Sequence, residues 1–368
     1  MDSSEFSIHH ILSTLNNMKL NDLTNQAGEW LRGSGPMSDI VISSRIRLAR
    51  NVSGYPFLSK SSRHQRNALE KKVRDTILTL QPADQMLYVD LEDAPQVDRD
   101  LLVERHLISK PHAAAEGARG VAIGENETVS IMVNEEDHLR IQVLRSGLQL
   151  EETWEQINKI DDILENKLDF AFHPRFGYLT ACPTNVGTGI RVSVMLHLPA
   201  LKLTGEIEKV FRAAKDLRLA VRGLYGEGTE ATGDFYQISN QTTLGKTEDE
   251  IITDFKHVVI PKIIDYEHQA RKMLLQDRTI ALDDKVQRAL GILRSARLIA
   301  SEETLFLLSH LRVGINLGRI KDIDIRTLNE LFLMTQPAHL QKMQGKKLEG
   351  DARRAARADY IRHRLGGN

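Results

Sequence analysis

Residues 120–143 read GVAIGENETVSIMVNEEDHLRIQV, and this stretch decides the class of fold. Apolar and polar residues alternate through most of it, which is typical of strands with one buried face. The segment Gly124-Glu-Asn-Glu interrupts the alternation and predicts a turn between two strands. A β-sheet is therefore expected in this part of the chain.

Strands and helices alternate outward from this stretch. Residues 38–50 (SDIVISSRIRLAR) begin as a strand-like run, and Ser62-Arg-His-Gln65 is a capping box that predicts a helix to about residue 80. Residues 150–168 have the pattern of an amphipathic helix, and residues 175–200 return to strand character, broken by a loop over 183–189.

The pattern changes after Gly245. A helix near 205–217, the strands LRLAVRG and FYQISNQ and the glycine-rich loop Tyr225–Gly233 precede it. Thr247-Glu-Asp-Glu250 is a second capping box, and helical patterns follow to the end of the chain. This order predicts an α+β fold, with a mixed catalytic domain followed by an all-helical C-terminal domain.

Composition excludes several classes of protein. The 368 residues contain 49 Lys plus Arg and 50 Asp plus Glu, so a simple nucleic-acid binder, which needs a basic surplus, is disfavoured. The single cysteine, Cys182, excludes an intrachain disulfide framework and a CxxC zinc site. We see no signal peptide and no run near the roughly 18 apolar residues of a membrane helix, so a soluble cytoplasmic protein is expected.

Several arginines share a setting in which they could meet at one pocket. Arg45 and Arg47 lie two apart and should point the same way on a strand. Arg140 follows an acidic cluster, Arg191 follows a glycine-containing loop, and Arg222 lies where a strand meets the glycine-rich loop. Guanidinium groups match phosphate oxygens, so these residues could hold a triphosphate although the chain has no GxxxxGK[ST] loop and no HRD or DFG motif. Scattered surface arginines are the alternative interpretation.

Two acidic segments and the cysteine could hold a cationic substrate. Glu136 lies in Asn134-Glu-Glu-Asp-His138, and Glu227 lies in the glycine-rich loop. Two carboxylates from separate segments can grip a cationic group and accept its proton, although a solvated acidic turn has the same appearance. Cys182 begins CPTNVGTG, where a thiolate near cations could bind or attack a positive group, and an inert buried cysteine is the alternative.

Five motifs in order, SSRIRLAR, NEEDHLRI, CPTNVGTGIR, RGLYGEGTE and ISNQTTLG, resemble those of the phosphagen (guanidino) kinases. They cover about residues 38–246. Within that family the chain is most similar to the bacterial protein-arginine kinases of the McsB type. Only 37 residues precede Ser38, fewer than the helical domain with which free-amino-acid kinases enclose a small substrate, and a helical extension with an arginine-rich end follows the core.

The resemblance implies a phosphagen-kinase-like catalytic domain with an antiparallel sheet flanked by helices. The expected divisions are a short N-terminal segment (1–37), the catalytic domain (38–268) and a helical C-terminal domain (269–368) that supports dimerisation. ATP and Mg²⁺ are the implied cofactors, with no metal site made by the protein. The residues implied to bind the nucleotide are Ser43, Ser44, Arg45, Ile46, Arg47, His106, Arg140, Arg191, Val192, Ser193, Val194, Met195, Arg222, Gly223, Leu224, Tyr225, Gly226 and Glu227.

The resemblance also implies roles in the reaction and its control. Glu136 matches the carboxylate that binds the guanidinium and acts as base, Glu227 matches the second substrate carboxylate, and Cys182 matches the thiolate beside the guanidinium. Near the C-terminus, Asp351, Arg354 and Ala355 match an RDxxRA phosphoarginine-binding motif, but Gly350 stands where its first arginine would be. A soluble basic helix is the alternative interpretation of that segment.

The function implied is transfer of the γ-phosphoryl group of ATP to arginine residues of proteins. The family further implies a zinc-binding activator of the McsA type, a Clp chaperone or protease that degrades marked proteins, and a heat-shock repressor among the substrates. Two alternatives remain open: a Cys182-dependent guanidine-modifying enzyme that needs no ATP, and an inactive adaptor that binds phosphoarginine.

Overall fold

The computed structural model describes Leu20 and residues 28–83, 85–224 and 232–367. Its centre is an antiparallel sheet of eight strands in the order β2-β3-β4-β5-β1-β8-β10-β9, and a separate hairpin is formed by β6 and β7. The strands are β1 (Val41–Arg50), β2 (Met86–Asp90), β3 (Gly120–Gly124), β4 (Val129–Val133), β5 (Leu139–Ser146), β6 (Phe172–His173), β7 (Gly177–Tyr178), β8 (Ile190–His197), β9 (Leu219–Arg222) and β10 (Phe235–Asn240).

Helices precede, interrupt and follow these strands in the described ranges. Those up to residue 216 are α1 (Arg63–Leu80), α2 (Gln96–Glu104), α3 (Lys110–Ala114), α4 (Leu150–Glu165), α5 (Pro199–Thr204) and α6 (Ile207–Asp216). Those after the sheet are α7 (Glu248–Asp254), α8 (Ile260–Asp277), α9 (Thr279–Ser295), α10 (Ser301–Asn316), α11 (Ile325–Met334), α12 (Pro337–Gln344) and α13 (Gly350–Leu365). The predicted α+β fold with a helical C-terminal region is confirmed.

The predicted number of strands in residues 120–145 is wrong. Three strands lie there, because a second turn over 134–138 separates β4 from β5. Asn134 makes this turn possible by adopting a left-handed backbone with φ of 59°, a conformation that asparagine tolerates better than most residues. The three acidic residues 135–137 therefore lie in a tight turn between paired strands.

Both capping boxes form as predicted. The Ser62 side chain accepts from the Gln65 backbone N–H, and the Gln65 side chain accepts from the Ser62 N–H, at the start of α1. Thr247 and Glu250 make the same pair at the start of α7. A π-helical turn over Phe255–Val259 joins α7 to α8, and α8 runs through the expected domain boundary at 268 and 269.

The strand β1 lies at the centre of the sheet and pairs with β5 on one side and β8 on the other. Because side chains alternate between faces, Ile46 and Leu48 point to one face, while Arg45 and Arg47 point to the other. The apolar face continues into β5 and β8, and its fully buried members join the main core with α1 and α4. The sheet thus presents an apolar face to the core and a polar face to the candidate site.

Little of the predicted N-terminal segment falls in the described ranges. Leu20 and residues 28–37 are described and include the 3-10 turn Glu29–Leu31, whereas residues 1–19 and 21–27 lie outside the described ranges. Within the described part of the chain, no helix combines the length and the apolar character needed to cross a membrane.

Candidate functional site

Four strands bring the predicted arginines to one face of the sheet. Arg47 of β1 lies directly across from Arg191 of β8, and Arg45 lies across from Ser193. Arg222 of β9 pairs with Gln237 of β10, and the Gln237 side chain accepts a hydrogen bond from Arg45. The alternative of scattered surface arginines does not describe this arrangement, which we call the arginine face.

The charges on this face repel one another. Burial, followed by the positive charges of Arg140, Arg191 and Arg222, lowers the pKa of Arg45 from its ordinary value to about 9. Burial and the charges of Arg140, Arg45 and Arg191 also lower the pKa of Arg47 well below its ordinary range. A polyanion bound here would relieve both the repulsion and the loss of hydration.

Buried hydrogen-bonding groups on the arginine face also fit an anionic ligand. Among the described residues, Arg47 Nε, Ser193 Oγ and Ser239 Oγ are buried and make no hydrogen bond within the protein. Such groups are costly to leave unsatisfied in a folded protein, by roughly 1–3 kcal/mol each. Guanidinium and hydroxyl donors in this number fit the phosphate oxygens of a nucleotide.

Because side chains alternate along a strand, only some residues of the predicted nucleotide-binding segments face the site. Their side chains on the arginine face are those of Ser43, Arg45, Arg47, Arg191, Ser193 and Met195. The side chains that the structure does not bring to it are those of Ser44, Ile46, Val192 and Val194, which lie on the opposite face. A segment of consecutive residues cannot line one surface with every side chain when it is a β-strand.

A narrow pocket beside Arg45 contains the predicted His106. Trp30, Leu144 and Met195 also line it, and the Trp30 and His106 rings meet edge to face with centroids 4.4 Å apart. Burial lowers the pKa of His106 to about 3, so its ring is neutral at physiological pH. Ser43, Ser193 and Gln237 line the pocket as well, so aromatic, apolar and polar side chains meet beside Arg45.

A buried charged network holds the loop that carries His106. Arg105 donates from Nε and Nη2 to the carboxylate of Glu127, at distances of 2.6–3.0 Å, and its Nη1 lies 3.1 Å from Nε2 of His339 on α12. Glu104 accepts from the backbone N–H groups of Ala338 and His339. Residue 106 is therefore tied to a helix more than two hundred residues later in the chain.

The acidic turn contributes a carboxylate that orients one of the arginines. Glu135 Oε1 accepts hydrogen bonds from Ser109 Oγ at 2.6 Å and Arg140 Nη1 at 2.7 Å, and Oε2 accepts from the Glu136 backbone N–H at 2.8 Å. Burial alone would raise the pKa of Glu135, but Arg140 and Ser109 outweigh it and lower the pKa to about 2. Glu135 thus joins a predicted phosphate-binding arginine to the predicted base.

The same turn brings Glu136 and Cys182 into one neighbourhood. Asp137 Oδ1 accepts from the Ala181 backbone N–H and from Asn51 Nδ2, both at 2.6 Å, so the turn is fastened to the residue before Cys182. The Glu136 side chain is exposed, and its pKa is raised by partial burial and by the neighbouring Asp137 and Glu135 charges. A carboxylate with a raised pKa is a better proton acceptor than an ordinary one.

Cys182 is partly exposed and begins a short 3-10 turn, Pro183–Asn185. Its Sγ lies 3.0 Å from Thr184 Oγ1. The residue is therefore neither deeply buried nor part of the core, which removes the interpretation of an inert buried cysteine.

The glycine-rich loop is only partly described. Gly223 and Leu224 are buried at the end of β9, whereas the predicted Tyr225, Gly226 and Glu227 lie outside the described residues. The C-terminal triplet lies at the start of α13, where Asp351 and Arg354 are exposed and form an ion pair at 3.3 Å. Ala355 is half-buried beside them.

The side chains of the site that are absent from the residues predicted to act there include Trp30, Ser109, Glu135, Gln237 and Ser239. Alternation in FYQISN could have placed Gln237 on the polar face of its strand. Trp30 reaches the site from a part of the chain outside the recognised motifs. Ser109 lies three residues after His106, and no local pattern indicates its contact with Glu135.

The described residues include no group of three or more His, Cys, Asp or Glu side chains that could hold a metal ion. The donors of the arginine face are nitrogens and hydroxyls, which suit phosphate oxygens and not a hard divalent cation.

Sequence models of two families match the chain. The catalytic domain of the ATP:guanido phosphotransferases matches residues 68–270, and the C-terminal domain of the protein-arginine kinase McsB matches residues 279–367. Proteins named protein-arginine kinase from Halothermothrix orenii and Symbiobacterium thermophilum are each 50% identical to the chain, over 349 and 353 residues. Each alignment covers 95% of this chain and 99% of the relative.

Solved structures of related kinases share the fold. The duplicated taurocyamine kinase of Schistosoma mansoni, with bound transition-state-analogue components, matches with a TM-score of 0.58 at 28% identity, over 64% of this chain and 34% of that one. A lombricine kinase matches with a TM-score of 0.55 at 27% identity, over 68% of this chain and 75% of that one.

The arginine face, the acidic turn and these matches lead to one assignment. The predicted resemblance is confirmed, and ATP is the phosphoryl donor in kinases of this family. The chain is a phosphotransferase enzyme that belongs to the protein-arginine kinase family of ATP:guanido phosphotransferases.

Proposed function

We propose that the chain transfers the γ-phosphoryl group of ATP to a guanidinium nitrogen of arginine residues in proteins. The observation that carries this proposal is the joining of the arginine face to the acidic turn through Glu135, which contacts both Arg140 and the Glu136 backbone. A cationic surface for the phosphates therefore adjoins a carboxylate suited to a guanidinium.

The arginine face supplies positioning and charge neutralisation. Arg45, Arg47, Arg140, Arg191 and Arg222 would contact the phosphates, with Ser193 as a further donor. Phosphoryl transfer passes through a loose transition state with charge spread over the phosphoryl oxygens, so fixed cations stabilise it without further reorganisation. His106, with Trp30 and Met195 around it, would lie near the base or ribose end of the nucleotide.

The acceptor must lose a proton before its nitrogen can attack, because a guanidinium has a pKa above about 12. Glu136 would hold the guanidinium and accept that proton, helped by its raised pKa. The N–P bond forms as the bond between the γ-phosphorus and the oxygen of the leaving ADP breaks. Cys182 would lie beside the guanidinium, and Glu227, outside the described residues, would be its second carboxylate.

Mg²⁺ is the metal that we propose to accompany ATP. It supplies further neutralisation of the phosphate charge, and it would be held mainly by nucleotide oxygens and water, since the described residues offer no cluster of acidic ligands. The protein side chains would bind the phosphate oxygens that the metal leaves free.

We also infer the localisation, oligomeric state and partners of the enzyme. It would be a cytoplasmic homodimer that marks proteins for a Clp-type protease, inactivates a heat-shock repressor and responds to a zinc-binding activator of the McsA type. The exposed Asp351–Arg354 pair on α13 would be available to a phosphoarginine side chain, with Ala355 beside it. Conversion of a cation to an anion on the substrate gives such partners a strong signal to recognise.

The test is mass spectrometry, under non-acidic handling, of an arginine-rich protein after incubation with the enzyme and Mg-ATP. We expect acid-labile phosphoarginine, lost in Glu136→Ala and Glu227→Ala. Labelling confined to Ser, Thr or Tyr contradicts the proposal. Modification of arginine without ATP, with a covalent adduct on Cys182, would favour the cysteine-dependent alternative, and ATP binding without turnover even with an activator would favour the adaptor.

A further inference from the structure

A second cationic region lies behind the acidic turn, apart from the arginine face. It is a groove of about 760 Å³ between the start of α1, the start of α2 and the loop after α3. Arg63, Arg66, Arg99 and Arg119 line it, and we call it the rear groove. Its volume lies within the range of ligand-binding sites, about 300–1,000 Å³.

Three of these arginines lack a carboxylate partner. Among the described residues, no carboxylate oxygen lies within 4 Å of the guanidinium nitrogens of Arg66, Arg99 or Arg119, and only Arg63 reaches one, Glu92, at 3.4 Å. By contrast, the buried Arg50 and Arg105 each have a close carboxylate. The rear groove therefore contains three guanidinium groups that make no ion pair with a carboxylate in the described part of the chain.

Hydrogen bonds to backbone carbonyls hold the guanidinium groups in place but do not use all of their N–H donors. Arg66 donates to the Leu58 carbonyl, Arg99 to the Leu91 carbonyl and Arg119 to the His112 carbonyl. The Nε atoms of Arg66 and Arg99 are buried without a hydrogen-bond partner in the described structure. Burial, followed by the charge of Arg99, lowers the pKa of Arg119, and the negative charges of Glu92, Asp90 and Glu116 offset part of this effect.

Two glutamates, Glu92 and Glu116, also line the groove, which leaves an excess of two positive charges among its lining side chains. Both are exposed, whereas Arg119 is 3% exposed. The two carboxylates thus lie at the exposed rim, Glu92 beside Arg63, and the most deeply buried charged side chain of the groove is the cation Arg119. Small side chains, among them Ala114 and Ala118, leave room for an extended chain.

Hydrogen bonds join the groove to the acidic turn. Asn134 begins that turn, and its side-chain amide donates to the carbonyls of Arg66 at 3.1 Å and Ala118 at 2.9 Å, both of which are groove residues. Ser109, which caps α3 and holds Glu135, lies at the other end of the same short helix as Ala113 and Ala114. A polypeptide with an arginine at Glu136 would thus have neighbouring residues near the rear groove.

We propose that the rear groove binds an acidic segment of the protein substrate, beside the arginine to be phosphorylated. This inference rests on the proposed function. It gives the enzyme a preference for arginines with Asp or Glu nearby, which a surface that reads only the guanidinium would not have. An acidic neighbour would also hold the substrate chain while the phosphoryl group is transferred.

The test compares two labelled peptides of equal length, each with a single arginine, one with an acidic flank and one with Asn and Gln in the same places. Fluorescence anisotropy would measure binding, and phosphoarginine formation would measure KM. We expect wild type to favour the acidic peptide about three- to tenfold in both, less at high salt. Arg63→Gln with Arg99→Gln should remove the preference and leave kcat on the neutral peptide unchanged.

A matched control is the pair Arg288→Gln and Arg326→Gln, two exposed arginines on the C-terminal helices, which removes the same charge. Arg63→Gln alone, at a side chain 82% exposed, covers the case in which the double variant fails to fold. Equal binding of both peptides by wild type, or a preference that survives in the groove variants, overturns the inference. Inorganic phosphate bound at the groove without peptide discrimination would make it a small-anion site and also overturn it.

The binding arm separates this inference from the proposed function. If neither peptide is phosphorylated but the acidic one binds in a manner that depends on Arg63 and Arg99, the groove stands and the proposed reaction fails. If both are phosphorylated equally and bind equally, the reaction stands and the inference fails.

Discussion

The two faces of the central sheet use the same strands for opposite purposes. On one face, Ile46 and Leu48 are fully buried, and Arg50 is neutralised by Asp161, with hydrogen bonds of 2.7–3.1 Å, beneath the Tyr178 ring. On the other, Arg45 and Arg47 face further arginines. Arg50 thus has a buried carboxylate beside it, whereas Arg45 and Arg47 lie among like charges that a bound polyanion would offset.

The difference shows how stability and activity can be separated within one strand. The apolar face contributes burial, which stabilises the fold, and the arginine face carries desolvated like charges, which destabilise it. Substitutions of neighbouring residues in β1 should therefore differ in effect: those on the apolar face should change stability, and those on the arginine face should change activity.

The largest effect is expected from Arg47→Ala. Loss of one transition-state cation should lower kcat/KM by about 10³-fold or more, by analogy with the effect of arginine fingers. Unfolding free energy should stay equal or rise, because a source of repulsion is removed. Kinase assays and thermal unfolding of the same preparation would check both, and activity within tenfold of wild type would contradict the role of the face.

Glu136→Gln should lower kcat by about 10²–10⁴-fold, the usual contribution of a general base. In wild type, the base must be ionised, so activity should fall as pH drops through the pKa of Glu136. Because that pKa is raised, the acidic limb of kcat/KM should lie at higher pH than for an ordinary carboxylate. The residual activity of the variant should lack this limb, and a limb that persists would assign it to another group.

Leu48→Ala tests the apolar face beside Arg47. Leu48 is fully buried, so its truncation should lower the unfolding free energy by about 2–5 kcal/mol. The KM for ATP of the folded variant should equal that of wild type. Denaturant titration and steady-state kinetics would measure these, and a large rise in KM would mean that the two faces are coupled.

Glu135→Gln should lower both the activity and the unfolding free energy, because the charged Glu135 side chain holds the site and the fold together. Its pKa is lowered to about 2, so its contribution to stability is complete above the usual carboxyl pKa of about 4.3 and is lost as pH falls toward 2. The variant should be less stable at neutral pH, and its difference from wild type should shrink near pH 3. Glu125→Gln, at an exposed turn residue, is the control for loss of one charge.

The smallest effect is expected from His339→Ala, at the far end of the network that holds the His106 loop. The KM for ATP should rise about three- to tenfold with little change in kcat, the value of one or two buried hydrogen bonds. Arg357→Gln is the control, since Arg357 is also buried and its hydrogen bonds in the described structure go to the Thr335 and Ile299 carbonyls. An equal rise in KM for both variants would indicate general destabilisation.

Local patterns predicted the parts of the fold that depend on local physics. The capping boxes at Ser62 and Thr247 and the shared direction of Arg45 and Arg47 follow from side chains a few residues apart. The turn at 134–138 escaped prediction because it contains no glycine, and Asn134 supplies the left-handed residue instead. A run of acids after a strand looks the same whether the chain turns back or continues.

Long-range placement accounts for most of what remained unpredicted. The Glu104–His339 contact joins residues 235 positions apart, and Trp30 reaches His106 from outside the recognised motifs. The rear groove combines arginines from three segments, none with a distinctive local pattern. The division of β1 and β8 into two faces was predictable by alternation, whereas a family motif presents its residues as one continuous block.

The position of β1 between β5 and β8 has a consequence for insertions and deletions. Both neighbours pair with β1 along nearly its whole length. After a one-residue deletion before Arg45, the strand could keep these hydrogen bonds only if its side chains exchanged the apolar face for the arginine face. Arginines would then enter the apolar core, and leucine and isoleucine would meet the nucleotide. Side chains in this strand alternate with a period of two residues. Insertions and deletions should therefore be tolerated only two residues at a time, or in the loops that flank the strand.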